Sequence, residues 1–128
     1  HDTLLDAVWS GPIETEFCHG DTVVCHGHVE PEADAERYVV GHDHPTIEIK
    51  GKRHPCWLAG DAQYRDAAVL MVPSFNRLVP GVRINEMSTA DFMSPLVGDA
   101  DGLRPVVRDR EDDETLGFPP LGEFRHRL

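Results

Sequence analysis

Two short apolar runs, each ending in glycine and paired histidines, constrain this chain more than any other feature. Val23-Val24-Cys25 runs into His26-Gly27-His28, and Tyr38-Val39-Val40 runs into Gly41-His42-Asp43-His44-Pro45, so four of the eight histidines fall between positions 26 and 44. Runs of this length and β-branched content read as buried strands. Both clusters then sit where a rigid strand gives way to a loop, with their imidazoles presented from one edge. Gly27 and Gly41 permit tight turning beside them, and Pro45 biases His44 toward extended backbone. Neutral imidazole binds divalent metals through one ring nitrogen at about 2.0–2.1 Å and leaves the other for a neighbouring acceptor. The clusters are therefore candidate metal ligands.

The rest of the chain reads as strand-rich. Ile13 to Cys18 and Thr22 to Cys25 flank His19-Gly20-Asp21 as a hairpin, and Thr46 to Lys50 returns through Gly51 to Cys56-Trp57-Leu58 as another. Pro31 to Arg37 is expected to form a turn or two of helix. Ala67 to Val72, a continuous apolar run, is the candidate central strand, with Val82 to Ile84 expected beside it. Asp99-Ala100-Asp101-Gly102 lacks the spacing and closing glutamate of a calcium loop and reads as an aspartate-rich turn. Arg108 to Glu114, nearly all charge, reads as a solvated loop, and residues from about 103 to 128 as an extended tail over the surface. His19, His54 and His126 read as structural histidines.

A chain of 128 residues supports one domain that buries about two-thirds of its unfolded surface. Its 23 acidic against 12 basic residues give a formal charge of -11. Such a field repels phosphate backbones and offers no counterion release, so direct nucleic-acid binding is not expected. Three cysteines, Cys18, Cys25 and Cys56, give no paired framework, which points to a reducing, cytoplasmic setting. No apolar run approaches the roughly 18 residues of a membrane span.

Taken in order, the motifs resemble the calcineurin-like metallophosphoesterases, in particular the archaeal SbcD-related phosphoesterases. Members carry Asp-x-His, Gly-Asp, Gly-Asn-His-Asp, His-Gly-His and Gly-His-x-His at strand ends around a two-metal centre. His1-Asp2 looks like the tail of the third motif, His26 to His28 the fourth, and Gly41 to His44 the fifth; His54 to Leu58 and Val72 to Asn76 look like segments that follow. The resemblance implies an α/β fold in which residues 1–128 form the strand-rich carboxy-terminal half of a four-layer α/β/β/α sandwich. It implies two divalent ions, manganese first, with His26 and His42 on one and His44 on the other. His28 would steady a ligand or contact phosphate. His1 would protonate the leaving alkoxide, oriented by Asp2.

The first two motifs and the third's asparagine are missing. The expected partners are a phosphoester substrate and the absent amino-terminal half or another subunit. A cupin-like single-metal β-barrel is the rival reading, since His42-x-His44-x-x-x-Glu48 matches that family's first motif and histidines two apart on a strand share a face; no suitable second motif follows. A non-catalytic remnant that binds a partner is a third reading. The acidic composition, with only Lys50 and Lys52 as lysines, also fits a protein adapted to high salt: its melting temperature is expected to rise steeply up to molar potassium chloride, and a flat response in a thermal scan would contradict this.

Overall fold

The computed structural model describes residues 5–76, 78–109 and 112–128. Among them nine strands form a mixed sheet: β1 (Glu16–His19), β2 (Thr22–Cys25), β3 (Arg37–Val40), β4 (Pro45–Ile49), β5 (Lys52–Tyr64), β6 (Ala67–Met71), β7 (Val82–Arg83), β8 (Arg104–Asp109) and β9 (Glu114–Gly117). Their order is β1-β2-β3-β6-β5-β4-β7, with β8 also paired to β5 and β9 to β8. β2, β3 and β6 run parallel, so their carboxy-terminal ends share one edge. The 13-residue β5 pairs β4 through its first part and β6 and β8 through its second. Lys50 and Gly51, with φ of 50° and 76°, make the left-handed two-residue turn that joins β4 to β5 without splaying them.

Register explains which face is buried. Val23, Tyr38 and Val69 lie in one row across β2, β3 and β6, and Val40, Met71 and Leu58 in another. All six are 2% exposed or less and join a single core with Ile84, Phe92, Leu96, Leu103 and Leu121. The alternate row, Phe17, Val24, Val39 and Leu70, faces the other way, and Phe17 and Val24 there are 58% and 42% exposed.

The strand-rich expectation holds, but the four-layer sandwich does not appear. Among the described residues the α-helices are α1 (Leu5–Val8) and α2 (Leu121–Phe124), four residues each, too short to form a layer. The intervening segments are broken by proline, glycine and aspartate and carry no sustained apolar stripe that could hold a helix on the sheet.

Several local expectations are corrected for related reasons. Pro31 to Arg37 forms no helix, because side chains capture its backbone instead. The Glu16 carboxylate accepts from the N–H groups of Glu32 and Ala33 at 2.6 and 3.1 Å. The Tyr38 hydroxyl accepts from Ala35 N–H and donates to Ala33 C=O, both at 3.0 Å. Val82 pairs in parallel with β4 rather than with β6. Arg108 to Glu114 contains the ends of the β8–β9 hairpin, with Arg108 ion-paired to Asp113. From about 103 onward the chain is more than a tail: β8 extends the sheet, Leu121 is fully buried, and the Arg125 guanidinium donates to Met87 C=O at 2.8 Å. No helix among the described residues is long and apolar enough to cross a membrane.

Tyr38→Phe keeps the ring in the core but removes both hydroxyl hydrogen bonds. Urea denaturation is expected to show a loss of about 1–2 kcal/mol, with faster exchange at the Ala35 amide; unchanged exchange there would mean that the hydroxyl does not hold this connection.

Candidate metal centre

The shared edge of the parallel strands is where the histidine clusters emerge. Pairing continues past the strand ends: Gly41 N–H donates to His26 C=O at 3.1 Å and Val72 N–H to Val40 C=O at 2.8 Å. His26 and His42 are thereby held on neighbouring strand extensions. His42 Nδ1 lies 2.9 Å from His26 Nε2, and their ring centroids are 4.8 Å apart, nearly edge to face. His28 completes the group, 5.2 Å from His26 and 6.0 Å from His42. The turn between His26 and His28 requires glycine. Gly27 has φ of 87°, and a Cβ there would fall 2.7 Å from Val40 Cβ, so the turn lies directly against the end of β3.

His44 is placed differently from its sequence expectation. Despite preceding Pro45 it is not extended but left-handed, with φ of 50°. Its carbonyl accepts from Val82 N–H at 3.1 Å, and Gly81 packs so closely that a Cβ would lie 2.4 Å from that oxygen. The β4–β7 junction thus holds a conformation that costs a non-glycine residue about 1–3 kcal/mol. The His44 ring makes none of the three ring contacts above, yet its charge still acts on His26.

Asp43, between His42 and His44, did not stand out as a functional residue in the sequence. It is 1% exposed, and its carboxylate accepts from Met93 N–H at 2.8 Å and Ser94 N–H at 3.1 Å. An aspartate in a histidine-rich turn before proline is a recognisable backbone-capturing residue, but its distant partner is not visible in the sequence. The expected acid and its orienting carboxylate, His1 and Asp2, lie outside the described residues.

Electrostatics favour the uncharged form of the His26 ring. His26 titrates below the usual histidine range, first because burial disfavours its cation and then because His42, His28 and His44 repel it. Cys25, directly before His26, is no ready nucleophile: burial, and then the nearby Glu16, raise its thiol pKa. Burial pushes the Cys56 thiol up to about 12, consistent with its place in the core.

The donors fit part of a metal centre. His42 Nδ1 and His26 Nε2 are hydrogen-bonded across 2.9 Å, one ring donating and the other accepting, so an ion shared by the two would replace that proton. Among the described residues, however, no group of three or more histidine, cysteine or acidic side chains is arranged to hold an ion, and the nearest carboxylate in sequence, Asp43, is committed elsewhere. The two-ion centre is not complete within these residues. The cupin-like arrangement is not present either: β4 begins at Pro45, after both histidines, the sheet path ends at β1 and β7 rather than closing, and Glu48 pairs with Arg83 at 3.8 Å.

A histidine whose folded pKa is lowered binds fewer protons when folded than when unfolded, so its contribution favours folding above the unfolded value of about 6.5 and is lost as pH falls from there through the folded value. NMR titration is expected to place His26 below ordinary histidine, and His42→Asn to move it back upward; an ordinary His26 pKa in the parent protein would contradict the clustered rings. No known protein family matches the chain, and no curated protein or solved structure is significantly similar to it.

Proposed function

We propose that this chain is the imidazole-bearing portion of a metal-dependent phosphoesterase of the calcineurin-like kind, the carboxy-terminal half of a four-layer sandwich whose helices and remaining ligands another polypeptide segment or subunit supplies. The observation that carries this reading is the delivery of His26 and His42 from adjacent parallel strand ends to within 2.9 Å of each other. Ligands at the carboxy-terminal edge of parallel strands are a recurrent arrangement in mixed and α/β sheets. The surroundings of His26, which favour its neutral form, also suit metal ligation, since only an unprotonated nitrogen can bind.

In this reading His26 and His42 hold one divalent ion and His44 reaches a second, while His28, exposed beside them, meets the phosphoryl oxygens or steadies a ligand. Bound divalent ions, manganese by preference, supply Lewis acidity and lower the pKa of bound water from 15.7 toward about 7. His1 protonates the leaving oxygen and Asp2 orients it. The substrate is a phosphomonoester or phosphodiester, and the acidic surface disfavours a long nucleic acid.

The test is reconstitution. Mixed with a segment carrying the Asp-x-His, Gly-Asp and Gly-Asn motifs, the chain is expected to hydrolyse bis-nitrophenyl phosphate in manganese, to lose that activity on chelation, and to fall at least about a hundredfold in turnover with His42→Ala. Activity that survives chelation, or that His42→Ala leaves intact, would sink the reading.

A further inference from the structure

We infer that Asp43 is the positioning residue of the histidine centre, acting through the Phe92–Ser94 segment and touching neither substrate nor ion. The inference deepens the metal reading above and rests on it for its functional meaning.

Asp43 separates the two histidines of the second cluster, so its backbone torsions set the directions of both neighbours. A buried carboxylate is costly unless its oxygens are paired, and here successive amides, Met93 and Ser94, each serve one oxygen at 2.8 and 3.1 Å. This two-pronged grip fixes both the position and the rotation of the carboxylate, which a single contact or an apolar side chain would not do.

The same segment reaches the first cluster. Ser94 is 3% exposed, and its Oγ lies 3.4 Å from where a Cβ on Gly27 would stand. Residues 93 and 94 therefore hold the His42–His44 loop through hydrogen bonds, and Ser94 also lies beside the glycine of the His26–His28 turn. The segment is itself anchored on both sides: Phe92 and Leu96 are core residues, and Ser88, at the start of the preceding 3-10 turn, donates through its N–H and its Oγ to the Asp91 carboxylate at 2.8 and 2.7 Å. A perturbation at Asp43 is thus expected to change the relation between the two clusters before it changes the sheet.

The experiment uses two measurements on this chain: nuclear Overhauser contacts between the His26 and His42 rings without metal, and calorimetric zinc binding. Asp43→Ala is expected to lose the ring contacts and to weaken zinc about 10–100-fold, the usual loss for residues that orient ligands. Asp43→Asn, which keeps one acceptor oxygen, is expected to fall between it and the parent. Leu121→Ala, in the core at α2, serves as a control that lowers the melting temperature and leaves zinc affinity within about twofold. Unchanged ring contacts in Asp43→Ala, or equal loss of zinc affinity in the control, would overturn the inference. Should Asp43→Ala fail to fold, Asp43→Asn decides in the same way. Should the parent bind no zinc, the metal reading falls, while the ring contacts still decide whether Asp43 positions the histidines.

Discussion

Parallel pairing of β2 with β3 is the constraint on which the rest depends. Had these four-residue strands formed an antiparallel hairpin, the end of β2 would meet the start of β3, and the two histidine clusters would lie at opposite edges, separated by roughly 13 Å of strand. Because they run parallel, Cys25 is in register with Val40, and Gly41 N–H extends the ladder to His26 C=O. The imidazoles then meet with no further adjustment. The cost is a return connection along the length of the sheet, a task most proteins give to a helix. Here residues 26–36 perform it as irregular chain, and the Tyr38 hydroxyl and Glu16 carboxylate replace the hydrogen bonds that a helix would have made internally.

That substitution shows where the sequence is legible. The apolar runs before each cluster, the Lys50-Gly51 turn and the central place of Ala67 to Met71 follow from local patterns of hydrophobicity and turn chemistry, and the structure carries all three. The alternation of β8 was also present to be read: Pro105 and Val107 are buried, while Arg104 and Arg108 are exposed. The charged turn that follows concealed it. What local pattern does not carry is pairing between distant segments. β7 joins β4 through only two residues, and Asp43 reaches 50 positions ahead to Met93. Pro45 predicts extended backbone at His44, and that prediction fails: His44 is left-handed, where Gly81 and Val82 pack against its carbonyl.

Surface charge acts on a different scale from these contacts. The ion pairs among the described residues use arginine as their cation, as in Arg65 with Asp34 at 2.9 Å and Arg104 with Asp61 at 3.1 Å. These side chains are half exposed or more on at least one partner, so each pair adds little, on the order of 0–1 kcal/mol. Arginines so engaged cannot offset the acidic surplus, and a net charge of -11 leaves residual self-repulsion that dissolved salt screens.

The same edge gathers uncovered apolar side chains. Val29 directly follows His28 and is 58% exposed; Met93, whose backbone holds Asp43, is 57% exposed; Phe75, three residues beyond the Val72 that extends β6, is 98% exposed. Around Phe75 the loop is internally braced: Ser74 Oγ accepts from Asn76 N–H at 3.1 Å, and Asn76 accepts from Leu78 N–H at 2.8 Å. The ring is therefore presented by an organised turn. Apolar side chains exposed on the loops that follow strand ends are the kind of surface that a partner covers.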